Sequence, residues 1–481
     1  MIDSALLGDC LGYIDGEWTA AASGGASPVY NPATGEHLAD VPDMGQDQTV
    51  EAVEAGTRAL AQTASAEQRE QWLRSLAAAL AEHREDLARI ITLEQGKPLT
   101  ESRTEVDYST AFYTHFAGQL EHIRPRGLDA RVRNCDWTTY HRPAGVAGLI
   151  TPWNFPLAMF SKKLSAALAA GCSVVARPAS FTPLSAVAFW RLAERVGIPA
   201  GRLNLVVGRS RPIGKVLCEH PDVRVISFTG SSETGRALLA QTAPHIKRVA
   251  MELGGNAPFI VFDDADLDAA ADALMGNKFR CAGQTCVCTN RVYVHGDVHD
   301  AFVEAVALRV AKLKVGNGLD EDTDVGPLIN RAAFDKVARH VADALAKGAK
   351  RLVGHDPDRP TNDWGCFYPP TLLTGARQDM LVFQQEMFGP VVAVATFGSE
   401  DEAIGLANDT PQGLAGYVFT ADEARAVRCA ERLRFGHVGL NTGTGPTPEA
   451  PFGGMKQSGF GREGGLEGLV EFCETQTVVK A

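Results

Sequence analysis

Short, wholly apolar runs alternate with stretches of helical periodicity after Pro143, and this pattern is the strongest constraint on how the chain can fold. Val174–Ala176 and Leu205–Val207 contain no polar residue, as expected of strands that helices cover on both faces. Repeated βαβ units of this kind form a doubly wound parallel sheet, so we predict an α/β fold. The predicted strands are Gly145–Thr151, Ser173–Arg177, Leu203–Gly208, Arg224–Thr229 and Arg248–Leu253.

The carboxyl ends of these strands are where a doubly wound sheet binds its ligands. Phe228–Ser231 makes a glycine turn into a helical run, Ser232–Leu239, and the N-terminus of a helix favours an anionic phosphate. This turn lacks the Gly-x-Gly-x-x-Gly fingerprint, so by itself it also fits an ordinary β–α turn. The residues that we expect along a cofactor-binding edge are Thr151, Arg177, Gly208 and Gly230.

A second α/β lobe is predicted downstream. The 481 residues exceed what one hydrophobic core usually holds, and strand signals resume at Ala257–Phe262, Arg291–His295 and Val391–Phe397. Asn441–Gly465 is rich in glycine and proline and is longer than most connections, so we predict a functional loop near the substrate entrance.

One long helix is predicted before the first sheet. Ser65 with Gln68 resembles a capping box, and Gly96 with Pro98 ends the helical pattern. The apolar residues that recur at helical spacing between them are Leu73, Leu76, Leu80, Leu87 and Ile91.

Charge and composition exclude several classes of partner. Acidic residues outnumber basic ones by 58 to 46, so no basic surface is available to bind nucleic acid. Residues 1–16 hold three aspartates and no basic residue, unlike a secretory signal, and no apolar run reaches the roughly 18 residues of a membrane span. We therefore predict a cytoplasmic protein with no membrane partner. Ten scattered cysteines without zinc spacing predict no metal site.

Cys286 is the candidate nucleophile. It follows Gly283, which allows a tight backbone turn beneath an exposed thiol, and it precedes a predicted strand. A thiolate attacks an electrophilic carbon and forms a covalent intermediate. A lone cysteine is more often a small core residue, so that alternative stays open on these residues alone.

Two further polar residues fit the chemistry of a cysteine nucleophile. Asn154 lies between prolines in Pro152–Pro156, where a rigid side-chain N–H can stabilise the oxyanion formed when a thiolate attacks a carbonyl. Glu252 ends an apolar strand in Met251–Gly255, and a partly desolvated carboxylate there can activate water or the thiol. Taken singly, Asn154 also fits a turn residue and Glu252 a strand-end carboxylate.

Together, these segments occur in an order and spacing that resemble the aldehyde dehydrogenase superfamily. The similarity covers nearly the whole chain. It favours catalytic roles for Cys286, Asn154 and Glu252 over the purely structural roles given above. The segments that carry it are Tyr13–Trp18, Asn31–Gly35, Pro152–Pro156, Phe228–Ser231, Met251–Gly255, Gly283–Cys286, Glu386–Pro390 and Pro451–Gly459.

The resemblance implies a role for each residue. It makes Cys286 the nucleophile, Asn154 the oxyanion donor and Glu252 the base. It implies that Glu386 holds the nicotinamide ribose and that Phe388 packs near the nicotinamide ring. The residues that would line the cofactor path are Thr151, Trp153, Gly230, Ser231 and Leu253.

The resemblance also implies the division of the chain. A bridging extension would build homodimers or homotetramers. The implied parts are a dinucleotide-binding domain of residues 1–119 and 142–250, a catalytic domain of residues 251–440, the loop 441–465, and the bridging extension of residues 120–141 and 466–481.

Cofactor choice depends on Ala176–Ser180, where this chain departs from the family. Family members that prefer NAD often have glutamate at the position of Ser180. The family as a whole usually has lysine at the position of Arg177. Ser180 removes the repulsion of a 2′-phosphate and Arg177 can pair with that phosphate, so we predict use of NADP alongside NAD. Alternatively, Arg177 simply replaces lysine at a ribose hydroxyl.

The segment around the nucleophile most resembles the succinate-semialdehyde dehydrogenase branch. In that branch the arginine at the position of Arg280 helps to bind the substrate carboxylate, and Phe155 and Lys162 are further candidates for substrate contact. Lys162 in place of arginine and Pro446 in place of serine leave glutarate semialdehyde, 2-oxoglutarate semialdehyde and simple aliphatic aldehydes open. Arg280 also fits a structural ion-pair partner. Cys288 resembles part of that branch's reversible disulfide switch.

The implied reaction oxidises an aldehyde to an acid through a thioester on Cys286, which water hydrolyses. Glu252 argues against the acylating branch, in which coenzyme A takes the acyl group and this carboxyl is lacking. Two rivals remain: a catalytically silent binding or structural protein on the same scaffold, and a thiol hydrolase or esterase that acts without a cofactor.

Overall fold

The described strands form three sheets of three or more strands and two two-stranded sheets, Ala26–Tyr30 with His37–Pro42 and Gln412–Gly413 with Met455–Lys456. The computed structural model describes residues 4–130 and 134–481. The N-terminal part contains β1 (Gly12–Ile14), β2 (Glu17–Thr19), β3 (Ala26–Tyr30), β4 (His37–Pro42), α1 (Gln46–Leu60), α2 (Ala66–Glu82), α3 (Arg84–Gln95), α4 (Leu99–Gln119), β5 (Arg126–Leu128) and β6 (Asp136–Pro143). There follow β7 (Val146–Ile150), α5 (Ala158–Ala170), β8 (Ser173–Arg177), α6 (Leu184–Val196), β9 (Leu203–Leu205), α7 (Ser210–Glu219), β10 (Val223–Thr229), α8 (Ser232–Thr242) and β11 (Arg248–Glu252).

The second half of the chain supplies the remaining elements. They are β12 (Ala257–Val261), α9 (Leu267–Lys278), β13 (Thr289–His295), α10 (His299–Val310), α11 (Arg331–Ala346), β14 (Lys350–Val353), β15 (Thr371–Thr374), α12 (Leu381–Gln384), β16 (Val391–Phe397), α13 (Glu400–Asn408), β17 (Gln412–Gly413), β18 (Ala415–Phe419), α14 (Glu423–Arg432), β19 (His437–Leu440), β20 (Met455–Lys456), β21 (Gly459–Phe460), α15 (Gly465–Val470) and β22 (Cys473–Lys480).

Five parallel strands form the middle of the first sheet, in the order β9-β8-β7-β10-β11. The antiparallel strands β1 and β21 flank them, and β2 pairs with β1. Among these parallel strands the chain forms β7 first, adds β8 and β9 on one side of it, and then crosses over to add β10 and β11 on the other side. This confirms the predicted doubly wound sheet and places its topological switch point between β7 and β10.

Neighbouring residues of one central strand are buried on opposite faces of this sheet. Val174 joins the hydrophobic core that includes α2 and α6, whereas Val175 joins the core that includes α1 and α7. Both side chains are fully buried. The absence of polar alternation in β8 is thus explained by helices on both faces.

The second sheet has its own hydrophobic core. Its strand order is β14-β15-β16-β13-β12-β18-β19, and only β14 runs antiparallel to its neighbour. Four residues separate the end of β11 from the start of β12. The carboxyl end of one sheet therefore leads directly into the other.

The third sheet joins two distant segments of the chain. β22 pairs antiparallel with β6 along its full length, from Cys473 opposite Pro143 to Lys480 opposite Asp136, and β5 pairs with the other edge of β6. Residues 131–133, which fall within the predicted bridging extension, lie outside the described residues.

The segment 441–465, predicted to be a loop, contains two short strands. β20 pairs with β17, and β21 joins the first sheet, where Phe460 pairs with Met251 and Gly459 with Glu252. The sequence pattern misses these strands because each has only two residues.

The helix predicted over residues 65–96 is in fact two helices. α2 begins with the predicted capping box at Ser65, and α3 ends at the left-handed Gly96, but the chain breaks between them at His83 (φ −100°, ψ 26°). Leu76 of α2 and Leu87 of α3 enter the same core. Apolar spacing therefore continues across the break and does not reveal it.

The longest helix of the described residues, α4, has 21 residues and buries polar side chains, among them Ser102, Glu105 and Ser109. Within residues 4–130 and 134–481, no helix is both long enough and apolar enough to cross a membrane.

Candidate active site

A cavity of about 640 Å³ extends from the carboxyl ends of β7 and β10 to Cys286. Segments that follow strands of both large sheets line it. The predicted site residues in its wall are Trp153, Asn154, Phe155, Lys162, Gly230, Ser231, Leu253, Arg280, Cys286, Glu386 and Phe388.

The other predicted site residues do not line this cavity. They are Thr151, Arg177, Ser180, Glu252 and Cys288. Thr151 follows β7 and Arg177 ends the neighbouring β8, and the Thr151 amide donates to the Arg177 carbonyl at 3.2 Å.

Residues 280–288, here called the cysteine loop, carry the predicted nucleophile on a strained turn. Cys281, Ala282 and Gly283 are all left-handed, with φ of 53°, 54° and 72°. A Cβ on Gly283 would overlap the carbonyl oxygen of Gly389, so glycine is required there. The structure confirms the predicted turn. The turn also includes Cys281 and Ala282, for which the left-handed conformation costs about 1–3 kcal/mol each. Surrounding contacts must therefore hold the turn in place.

The Cys286 thiol, which the sequence predicts to be exposed, is only partly accessible, and its surroundings favour the protonated form. Burial raises its pKa to about 12, Lys162 opposes the shift, and Glu386 and Glu252 add to it. Because the thiolate is the reactive form, a base has to accept the thiol proton when the substrate is attacked.

Asn154 lies in residues 152–157, here called the proline-flanked loop. Its side-chain Nδ2 donates to the Gln284 carbonyl of the cysteine loop at 2.8 Å. A primary amide has two N–H groups, so one donor remains beside the cavity that Asn154 lines. The two loops are thus joined by the residue predicted to stabilise an oxyanion.

Glu252 ends β11 in a buried position where neither carboxyl oxygen has a hydrogen-bond partner in the described part of the chain. Burial raises its pKa well above the ordinary value; Glu463 adds to the shift, and Lys162 and Lys163 oppose it. A Cβ on Gly453 would lie only 2.8 Å from Glu252 Oε1, so the glycine leaves room for the carboxyl. These features suit a proton acceptor.

Sequence reasoning misses Glu463. Lys162 and Lys163, adjacent on the fully buried helix α5, both form ion pairs with its carboxylate. Burial acts to raise the pKa of Glu463, but the two lysines hold it below its ordinary value. Lys162, predicted to contact substrate, is therefore already engaged. Two lysines in an otherwise uncharged, buried helix indicate that an acidic residue lies nearby, but they do not identify it.

The adenosine end of the predicted cofactor path contains an incompletely paired cation. One Arg177 nitrogen, Nη2, donates to Ser180 Oγ at 2.6 Å and to the Gly208 carbonyl at 3.1 Å, whereas its buried Nε has no partner among the described residues. Burial lowers the pKa of Arg177 to about 10. The sequence places Arg177 and Ser180 near each other, but only the structure shows that they are hydrogen-bonded.

The residues predicted to contact the nicotinamide ribose and ring lie at the opposite end of the path. Glu386 Oε1 accepts the Gly255 amide at 3.0 Å, and Trp153 meets Phe388 edge-to-face with ring centroids 5.7 Å apart. Burial raises the pKa of Glu386. Lys336, a cavity residue that the sequence pattern does not indicate, lies on α11.

These features fit a dinucleotide. Ser231 caps the N-terminus of α8 by accepting the Thr234 amide at 3.2 Å, next to the switch point where doubly wound sheets bind phosphates. The orphaned Arg177 Nε offers a further N–H for an anionic group.

Arg280 lies in the wall of the cavity and forms no salt bridge with the described residues, although the Glu101 carboxyl of the same wall is near enough to interact with it electrostatically. Its guanidinium lies 5.6 Å from the Phe155 ring centroid, and its buried Nε has no hydrogen-bond partner among the described residues. No acidic side chain of the described residues forms a salt bridge with it. The described residues thus contain no direct ion pair at Arg280, and its role in substrate binding stays a prediction.

Cys288 is a buried free thiol that donates to the Gly283 carbonyl at 3.3 Å. Its role in a redox switch stays a prediction.

Among the described residues, no group of three or more His, Cys, Asp or Glu side chains is arranged to bind a metal ion.

Comparison with known proteins decides the family. The sequence model described as "Aldehyde dehydrogenase family" matches residues 18–478. The chain belongs to the aldehyde dehydrogenase family. This confirms the resemblance predicted from the motifs, and it makes the protein an NAD(P)-dependent aldehyde dehydrogenase.

Individual members of the family resemble this chain along almost its whole length. It is 46% identical over 464 residues to glutarate-semialdehyde dehydrogenase of Pseudomonas aeruginosa, covering 96% of this chain and 95% of that protein. It is also 46% identical over 463 residues to the NADP(+) succinate-semialdehyde dehydrogenase of Escherichia coli K12, with the same coverage. A crystal structure of an oxidoreductase from Marinobacter aquaeolei superposes with a TM-score of 0.98 at 53% identity, covering 100% of both chains. The predicted fold and the resemblance to the succinate-semialdehyde branch are confirmed.

Proposed function

We propose that this aldehyde dehydrogenase oxidises an aldehyde with a carboxylate at its far end, such as succinate semialdehyde, to the dicarboxylic acid. The observation that carries the proposal is the unpaired Arg280 guanidinium in the wall of the cavity that contains Cys286. A cation without a protein partner favours an anionic ligand, because burying it unpaired costs free energy. The named activities of the two curated relatives support the same substrate class.

Cys286 Sγ is the proposed nucleophile. As the thiol attacks the aldehyde carbon, its proton passes to the Glu252 carboxylate and from there to solvent, and a C–S bond forms. The aldehyde oxygen gains negative charge, which the second N–H of Asn154 stabilises. NAD(P), when bound along the path between Arg177 and Glu386, supplies the hydride acceptor. The thioester left on Cys286 is then hydrolysed by water, whose proton passes to Glu252.

Substitution of Arg280 by methionine tests the proposed substrate class. We expect KM for succinate semialdehyde to rise about 10- to 150-fold, because a charge-assisted hydrogen bond to the remote carboxylate is lost. Butanal, which has the same chain length and no carboxylate, serves as the matched control, and its kcat/KM should change less than about threefold. Initial rates of nicotinamide reduction measure both. Equal losses for the two aldehydes would indicate a structural arginine and a simple aliphatic substrate.

We further propose that NADP is used and that its 2′-phosphate binds at Arg177. The half-satisfied guanidinium of Arg177 and the neutral Ser180 beside it support this choice. A phosphate there would supply the missing acceptors for the buried cation.

A glutamate at Ser180 should reverse the preference. In Ser180→Glu the new carboxylate would pair with Arg177 and repel the phosphate, so we expect kcat/KM for NADP to fall about 100-fold while that for NAD changes much less. Ser180→Gln, which has the same size without the charge, is the control and should keep most NADP activity. If both variants lose NADP activity equally, bulk and not charge is responsible, and the phosphate does not bind at Arg177.

We also infer that the first sheet and its helices bind the cofactor, that the second carries the nucleophile, and that the third joins copies of the chain into dimers or tetramers. β5 and β22 form the two edges of the third sheet. Leu128, Val478 and Val479 on these strands are exposed. Unpaired edges with exposed apolar residues favour association with another chain.

A further inference from the structure

A buried ion pair near the start of α4 has no part in the proposed chemistry. The side chains of Lys97, two residues before the helix, and Glu105, on its second turn, are both 0% exposed and lie 2.6 Å apart. A buried ion pair is costly to desolvate, and apolar residues of similar volume are often as stabilising. The groups that the pair contacts therefore indicate its role better than its contribution to stability does.

Both members of the pair bind the proline-flanked loop. Lys97 Nζ donates to the main-chain carbonyl of Asn154 at 2.7 Å. Glu105 Oε1 accepts the amides of Leu157 and Ala158, at 2.9 and 3.1 Å, where the loop enters α5. One ion pair therefore fixes the backbone of Asn154 and the end of its loop.

A second acidic residue of the same helix binds the cysteine loop. Glu101 Oε2 accepts the Cys281 amide at 2.7 Å, at the first residue of the strained left-handed turn. The Cys281 thiol in turn donates to the Asn154 carbonyl at 3.6 Å, the oxygen that Lys97 also binds. The two loops thus share contacts with one end of α4.

We propose that Lys97, Glu101 and Glu105, here called the positioning cluster, set the Asn154 amide at the correct distance from Cys286 Sγ. This proposal rests on the proposed roles of Cys286 and Asn154. Lys97 fixes the Asn154 main chain, and the Gln284 carbonyl fixes its side chain.

Geometry explains why such a device is needed. An oxyanion donor stabilises the developing charge only within roughly 2.7–3.1 Å of the oxygen. Asn154 and Cys286 belong to loops that no strand pairing joins, so their relative position depends on side-chain contacts. A misplacement of about 1 Å costs on the order of 100-fold in rate.

The variant Lys97→Met/Glu105→Gln removes both charges together and leaves no unpaired ion. We expect kcat for aldehyde oxidation to fall about 10- to 100-fold with little change in KM. The hydrolysis of p-nitrophenyl acetate should fall by a similar factor, because it also forms an oxyanion. Alkylation of Cys286 by iodoacetamide forms none, so its rate should change less than about threefold.

Combination with Asn154→Ala separates positioning from general destabilisation. If the cluster acts through Asn154, the combined variant should be no slower than Asn154→Ala alone, because the same interaction is lost only once. Independent losses that multiply would overturn the proposal.

Glu94 provides a matched control. Its buried carboxylate accepts the amides of Leu184 and Ser185 at the start of α6, the same kind of contact that Glu105 makes at α5, but it touches neither loop. Glu94→Gln should lower thermal stability and leave kcat within about threefold. An equal loss of kcat in Glu94→Gln would show that any buried carboxylate of this kind has the effect, and would also overturn the proposal.

A milder variant covers the case in which the double variant does not fold. Glu101→Ala removes one hydrogen bond at a partly exposed site, and we expect an approximately tenfold loss of kcat that is again absent when Asn154 is alanine. Unchanged kcat in Glu101→Ala, or a loss that persists with Asn154→Ala, counts against the cluster. Failure of the proposed function would give a different result from failure of the positioning proposal. In that case variants that lack Cys286 or Asn154 would keep the wild-type activity.

Discussion

The Cys286→Ala variant is expected to oxidise aldehydes at least about 10⁴-fold more slowly than the wild type, because removal of the nucleophile closes the covalent route. The alanine keeps the backbone of the strained turn, and the cavity wall loses only a sulfur atom. The rate of NADP reduction at saturating succinate semialdehyde measures the loss. Binding of NADP, followed by protein fluorescence, should remain.

The adjacent thiol supplies the control for this experiment. Cys288 is buried and donates to the Gly283 carbonyl, away from the cavity wall. Cys288→Ala should keep kcat within about threefold of the wild type. A comparable loss in both variants would mean that disturbance of the cysteine loop, and not removal of the nucleophile, abolishes the reaction.

The Glu252→Gln variant is expected to form the acyl-enzyme once and then stop. Its steady-state kcat should fall about 10³-fold, since glutamine cannot accept the proton of the hydrolytic water. A rapid-quench or stopped-flow trace at pH 9, where more thiolate is present, should show a burst of NADPH close to one per active site, followed by a slow phase. Normal multiple turnovers would remove Glu252 from its proposed role.

The pH dependence of the same variant gives a second result with a defined sign. Burial and Glu463 raise the pKa of Glu252 in the wild type, so the carboxylate that accepts the proton forms only at higher pH. Wild-type kcat should therefore rise with pH through this raised pKa and fall as the pH drops below it. Glu252→Gln should lose this limb. Glu471→Gln, which removes another carboxyl whose pKa burial raises but which has no proposed part in the reaction, should keep it.

Much of the first sheet follows from local sequence. Wholly apolar runs predict its parallel strands to within a few residues, because helices on both faces bury every side chain of a strand such as β8. The capping box at Ser65 is also local, since it depends on neighbours in the chain. Gly283 indicates its turn in the sequence, but contacts with the distant Gly389 and Glu101 hold that turn in place. The break at His83 is not visible because both helices bury their apolar faces in one core.

The partners of the site residues depend on contacts that sequence spacing does not encode. Glu463 pairs with Lys163, 300 positions away, so the sequence predicts that a buried lysine needs an acid but does not name it. Lys162 fits a substrate contact by position, yet the same carboxylate already binds it. The link from Lys97 to the Asn154 carbonyl crosses from a helix end to a β–α loop. Such contacts require the three-dimensional fold.

Peptide mass spectrometry of Glu252→Gln, quenched in acid after reaction with succinate semialdehyde and NADP, tests the account most directly. We predict a single adduct with the mass of the succinyl group on the peptide that contains Cys286, and its absence when NADP is omitted. An acyl group on a different residue, or turnover without any acylated Cys286, would contradict the central claim.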